Sequence, residues 1–194
     1  MTHGAGCSLF FKQYSFVETK NLAAGGGYCC CFGGDARCLR FRLGGVDVLS
    51  SELKAWLQAN SSPGYDAWLR AQAQVHAGQL RALGVDLTSE LAELYLQHGA
   101  GNVRGWYELL EPDQLAEATA HVQAEWGVPA PFLALTGIEG QGVVLYDRRS
   151  GALYDAPLDR LDALRSGQLP ALADSVAGFL AWCRARDVAR GSDA

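Results

Sequence analysis

Val143-Val144-Leu145-Tyr146-Asp147-Arg148-Arg149-Ser150-Gly151-Ala152-Leu153-Tyr154-Asp155 holds two apolar-rich runs on either side of a four-residue break, and the break ends in glycine. Val, Leu and Tyr suit a pleated, half-buried surface, and a glycine supplies the positive φ that a tight reversal needs. The stretch predicts an antiparallel hairpin, Val143 to Asp147 against Ala152 to Asp155. Upstream, Phe132-Leu133-Ala134-Leu135 reads as a buried strand, and Gly105-Trp106-Tyr107-Glu108-Leu109-Leu110 as another.

Helical periods surround these strands. Leu49, Leu53, Trp56 and Leu57 share one face of a short helix that stops before Asn60-Ser61-Ser62-Pro63-Gly64. Leu69, Ala73, His76, Leu80 and Leu83 form a sustained apolar stripe containing one histidine, closed by Gly84. A third helix is expected after Asp86-Leu87, with Thr88 as N-cap, Leu91, Leu94 and Tyr95 inward, and Gly99 as its stop. Its Glu90 and Glu93 suit the positive end of its own helix dipole. Pro112 opens a helix with Leu115, Ala118, Val122 and Trp126 on one face, ended by Gly127-Val128-Pro129. Pro157 starts a short helix that Gly167 stops, and Asp174-Ser175 caps a last one with Val176, Phe179, Leu180 and Cys183 inward. Helices around short strand pairs, without regular βαβ alternation, predict an α+β fold: a mixed or antiparallel sheet packed by helices.

The expected organisation is a strand-rich N-terminal extension over residues 1–49, packed on a main domain over 50–188, with a frayed tail at 189–194. Leu39, Phe41 and Leu43 alternate with Arg40 and Arg42 as in a half-exposed strand, and Gly25-Gly26-Gly27 lies in a loop. Those glycines lack the Lys-Ser/Thr of a phosphate loop.

At 194 residues and 49% hydrophobic content the chain can bury a full core. No run reaches the roughly 18 to 20 apolar residues of a membrane span, and Met1 to Lys20 lacks a basic leader followed by an apolar core. A cytoplasmic location, with free thiols, is expected. Cys29, Cys30 and Cys31 are consecutive, and with Cys38, Cys7 and His3 they do not repeat a Cys-x-x-Cys spacing, so no metal or other cofactor is predicted. His76, His98 and His121 fall on helices read as structural, which leaves the cysteines without an evident catalytic base and predicts no catalysis.

The net charge of −5 conceals an asymmetry: the part before Asp86 carries +3, whereas from Asp86 onward sixteen acids face eight arginines. Such a balance repels phosphate backbones and attracts basic protein surfaces. Nucleic acid and membrane are therefore not expected as partners. Glu108, Glu111, Asp113, Glu139, Asp147 and Asp155 gather around the predicted strands and their connections, where with Trp106 and Tyr107 as aromatic anchors they form the candidate partner-binding face. On this placement, replacing Glu108, Glu139 and Asp147 together by lysine should weaken binding and leave stability nearly unchanged.

From Tyr65 to Arg186 the chain resembles the SUKH superfamily. The resemblance lies in the order of short pieces: Leu83-Gly84-Val85-Asp86-Leu87, His98-Gly99-Ala100-Gly101, Trp106-Tyr107-Glu108-Leu109, Gly127-Val128-Pro129 with Phe132-Leu133, Glu139-Gly140-Gln141-Gly142 leading into Val144-Leu145-Tyr146-Asp147, Ser150-Gly151 with Leu153-Tyr154-Asp155, and Ala173-Asp174-Ser175-Val176-Ala177-Gly178-Phe179-Leu180. Val176 stands where an aromatic residue is common, and residues 1–49 have no place in the family pattern. The resemblance implies an immunity protein that binds and neutralises a cognate bacterial toxin domain without turnover. A basic, nucleic-acid-targeting toxin would suit the acidic second half. The alternative within the same fold is an intracellular scaffold or regulatory adaptor, and a free sheet edge leaves a homodimer open.

Overall fold

The structure, a computed structural model, describes residues 48–103, 107–138 and 142–191. Among the described residues six α-helices and three strands follow one another as α1 (Ser51–Ala59), α2 (Pro63–Ala82), α3 (Glu90–Glu93), α4 (Pro112–Trp126), β1 (Phe132–Ala134), β2 (Gly142–Asp147), β3 (Leu153–Pro157), α5 (Leu161–Arg165) and α6 (Val176–Gly191). This is the expected α+β class. The sheet is an antiparallel meander in the order β1-β2-β3.

The hairpin forms where the sequence placed it. Val144 pairs with Asp155, Leu145 with Tyr154 and Tyr146 with Leu153, and Gly151 turns the chain at φ 80°. Period-two alternation gives the sheet two buried faces. Leu133, Leu135, Val144, Tyr146 and Leu153 join the core built with α1, α3 and α6. Phe132, Ala134, Val143, Leu145 and Ala156 join a second core with Leu161 and Leu164 of α5. Helix α4 serves both, Leu115 lying in the first core and Val122 in the second. The sheet is thus a middle layer, which is why its strands read as apolar runs. Its outer edges are partly covered, Leu109 bridging to Thr136 and Leu153 to Ala173.

The helix faces also follow the pattern. Leu69, Ala73, His76 and Leu80 of α2 are buried, as are Val176, Phe179, Leu180 and Cys183 of α6. Burial pushes the Cys183 thiol up to about 12, so it is an inert core group. Ser175 starts α6 as expected, its Oγ accepting from the Gly178 N–H at 3.0 Å. The last helix runs on to Gly191, past the expected frayed start at 189.

Three readings need correction. Ser89, not Thr88, caps α3, its Oγ accepting from the Ala92 N–H. Thr88 instead closes a turn on Asp86, donating through N–H and hydroxyl at 2.9 and 2.8 Å. Beyond α3 the chain widens into a π-turn over Leu94–His98; it ends when the Gly99 N–H reaches back five residues to the Leu94 carbonyl at 2.7 Å. Gly99 has φ 76°, and a Cβ there would overlap the Tyr65 ring of α2, so glycine is required on both counts. Lastly, the expected strand around Trp106 is, in its described part, an extended segment over 107–110 held by the Leu109–Thr136 bridge and by the Leu110 N–H on the Leu135 carbonyl at 2.8 Å. Trp106 and Glu139 lie outside the described residues, as do the cysteines of the N-terminal region.

Glu90 and Glu93 lie in the first turn of α3, as expected, and their oxygens also reach beyond it. Glu90 Oε2 accepts from the Ala177 N–H in the first turn of α6 at 2.8 Å. Glu93 Oε2 accepts from the Val48 and Leu49 N–H groups, both at 2.8 Å, where the chain enters α1. Its Oε1 meets Lys54 Nζ at 2.8 Å. One short helix therefore orients two longer ones, using carboxylates on N–H groups that have no intrahelical partner. Between α1 and α6, Trp56 Nε1 donates to Asp187 Oδ2 at 3.1 Å and Arg184 pairs with Glu52 at 2.8 Å.

Candidate functional site

The chain leaves the sheet after Thr136 and returns at Gly142. At the point of departure Thr136 ends the β1–β2 ladder: its Oγ1 accepts the Val144 N–H at 3.0 Å, just after the Leu135 N–H has reached the Val144 carbonyl at 2.8 Å. A strand that continued would use a main-chain carbonyl here; the threonine hydroxyl does so instead and frees the backbone to turn away. Between this end of the sheet and the 107–110 segment lies a cavity of about 510 Å³, lined by Tyr107, Glu108, Leu109, Leu110, Gln114, Thr136, Gly137, Gly142, Val143, Val144 and Asp155.

Three features define it. Leu109, Val143 and Val144 are buried and give it an apolar floor. Gly142 lies at its edge, where the paired strand approaches so closely that a Cβ would come within 3.0 Å of Pro157 Cα. At the rim, Glu108 and Asp155 are exposed carboxylates, and no lysine, arginine or histidine lines the cavity among the described residues. The Tyr107 hydroxyl donates to Asp155 Oδ2 at 2.8 Å. Burial, aided by that carboxylate, raises the Tyr107 pKa far above the ordinary phenol value, so the hydroxyl stays a donor at neutral pH. Its ring stacks on Trp182 of α6 at 5.8 Å and lies 5.9 Å from Phe179. The Arg186 guanidinium covers Trp182 at 3.9 Å.

Several other arginines are bound to main-chain carbonyls or to acids. Arg148 Nη1 donates to the Leu83 carbonyl at the end of α2 at 2.6 Å, and its Nε to Pro131 at 3.1 Å. Arg165 donates to the carbonyls of Trp126 and Gly127, which end α4. Positive charge spent on helix C-termini cannot neutralise the rim.

Of the expected binding residues, the fold brings Glu108 and Asp155 together with Tyr107. Asp113 is exposed in the first turn of α4. Glu111 starts that helix, and its Oε1 is taken by the Tyr65 hydroxyl at 2.7 Å, while Gln114 Oε1 accepts the Glu111 N–H at 3.1 Å. Asp147 is separate in place and role. It sits at the opposite end of β2 from Gly142, five strand residues or about 16 Å away, and is 5% exposed. Its carboxylate holds the turn, accepting from the Arg149 N–H at 3.0 Å and pairing with the Arg149 guanidinium at 3.2 Å. These contacts outweigh desolvation and keep its pKa below the ordinary carboxylate value. Lysine at 147 would break the turn, so the expected stability-neutral triple substitution does not hold for this position.

Thr136, Gly142 and Gln114 were not singled out from the sequence as site residues. A threonine followed by glycine directly after a buried strand was the available signal for the first. His76, read as structural, is 3% exposed and lies edge-on to Trp68 at 5.3 Å. Its Nδ1 has no hydrogen-bond partner among the described residues, and burial lowers its pKa.

No set of three or more His, Cys, Asp or Glu side chains is arranged to hold a metal among the described residues, and no helix among them is long and apolar enough to cross a membrane. Comparison with family models, with curated proteins and with solved structures finds no match.

Proposed function

We propose that this domain is a non-enzymatic binding module of the toxin-immunity type, which docks a basic surface of a cognate toxin domain against the Glu108–Asp155 rim. The observation that carries the reading is a cavity whose charged lining, among the described residues, is carboxylate alone, in a domain where Arg148, Arg149, Arg165 and Arg186 are engaged elsewhere. An acidic rim speeds encounter with a basic partner and competes with phosphate for the same surface. The ordered resemblance to SUKH proteins supplies the immunity context, and a cytoplasmic site of action belongs to the same proposal.

The test is recovery of the tagged protein from its own cells at low and high salt, followed by rescue of cells expressing whatever toxin domain is recovered. A stoichiometric partner lost at high salt, with rescue abolished by Glu108→Lys plus Asp155→Lys, supports the reading. Rescue that survives this double variant, or a footprint on the exposed Trp68 and Val75 of α2 instead, refutes the rim as the docking face. A recovered partner with no toxicity points to the adaptor alternative.

A further inference from the structure

We infer that the cavity between Tyr107–Leu110 and the Gly142 end of the hairpin receives the guanidinium of one arginine side chain from the partner. The inference rests on the binding-module reading and adds the chemistry of the contact. Charge complementarity argues first. The ionisable side chains that could pair with a guest are Glu108 and Asp155, and the cavity has no basic lining residue among the described ones. Asp155 is already oriented, because Tyr107 holds Oδ2 at 2.8 Å. Its Oδ1, like both Glu108 oxygens, has no hydrogen-bond partner among the described residues. A planar fork of donors meets such carboxylates in a paired geometry that an ammonium cannot reproduce.

The floor argues for a long side chain. Leu109, Val143 and Val144 offer apolar contact to a methylene stem while the head stays at the rim. A volume of about 510 Å³ exceeds one side chain and admits the adjoining turn of the partner's backbone. The protein also shows the stacking mode within itself. Arg186 Cζ sits 3.9 Å over the Trp182 ring, and the same aromatic tier continues to Tyr107 at the cavity wall.

The probe that tests this needs no partner. The 15N-labelled full chain is titrated at low salt with N-acetyl-arginine methylamide, its neutral isostere N-acetyl-citrulline methylamide, and N-acetyl-lysine methylamide. The expected result is saturable shifts of the Glu108, Leu109 and Val144 amides by the arginine probe. Citrulline should bind about tenfold more weakly or worse, as should the arginine probe to the Glu108→Gln, Asp155→Asn double variant, whose spectrum stays dispersed. Lysine should fall between arginine and citrulline. Equal shifts with citrulline, undiminished binding by the double variant, or shifts mapping away from the cavity would overturn the inference. The two proposals fail separately: a toxin partner still bound by the double variant removes the arginine socket and keeps the binding module, whereas arginine binding in a protein with no partner in cells keeps the socket and removes the immunity role.

Discussion

Glu90 and Glu93 on α3 and Glu108 and Asp155 at the cavity are two pairs of carboxylates with opposite uses. The first pair is turned inward: Glu93 is 4% exposed, and its oxygens meet two backbone N–H groups and Lys54. The second pair is turned outward over an apolar floor, with Tyr107 on one oxygen of Asp155. Both pairs contribute to the same acidic half of the sequence, yet one fixes helix directions and the other is available to a partner. Negative charge in this chain is therefore not a single surface property. Its effect depends on whether donors of the fold have already occupied the oxygens.

The sharpest way to break that comparison is to neutralise one carboxylate of each kind. Glu93→Gln should cost about 3 kcal/mol, because it removes the charge from the acceptor of two main-chain N–H groups and from the ion pair with Lys54. Urea denaturation measures this, and an unchanged midpoint would show that α3 does not organise α1. Next in size is Tyr65→Phe. It removes the donor to Glu111 Oε1 and the acceptor of the Gly101 N–H, 3.0 Å away, for an expected loss of about 1–2 kcal/mol in the same assay. It would also test whether Glu111, once released, joins the rim in partner binding.

Acid should separate the two kinds of carboxylate as well. The pKa of Glu93 is held below its ordinary value by Lys54 and the Leu49 and Val48 N–H groups, against the opposing pull of burial. A depressed folded pKa contributes stability that is complete above the unfolded value and is lost as pH falls through the folded one. His76 and His98 are lowered from 6.5 by burial, so the unfolded chain binds their protons first, and stability should start to fall below about pH 6.5, before the carboxylate loss begins. His76→Leu should reduce that first decline, leaving the His98 part and the Glu93 step in place; a stability curve flat from pH 7 to 5 would contradict both histidine assignments. The smallest effect is expected at the rim. Glu108→Lys should move the melting temperature by no more than about 2 °C, while partner affinity falls.

Much of the fold was legible in local pattern. The hairpin from Val143 to Asp155 announces itself through β-rich runs and a glycine turn, and the buried faces of α2 and α6 through spacings of three and four. Pro112, Gly127 and Gly167 mark element ends because their backbone constraints act within a residue or two. The candidate site was legible only in part. Tyr107, Glu108 and Asp155 were picked out as aromatic and acidic residues beside strands, but so were Glu111 and Asp147, and nothing local separates them. Glu111 is claimed by a tyrosine 46 residues away, whereas Asp147 is claimed by its own turn. The π-turn at Leu94–His98 has no local signature, because the contact between Gly99 at its end and the Tyr65 ring of α2 joins segments far apart in sequence.

By itself, the sequence determined the class of the fold, the buried stripes and the turn points, since these follow from backbone preference and the need to remove apolar periods from water. Only the tertiary structure decided which carboxylates remain open, that the sheet has two covered faces, and that a cavity exists where Thr136 releases the chain. Those properties depend on distances between residues far apart in sequence, and a carboxylate carries the same charge in the chain whether the fold will give it a helix N-terminus, a tyrosine or open solvent.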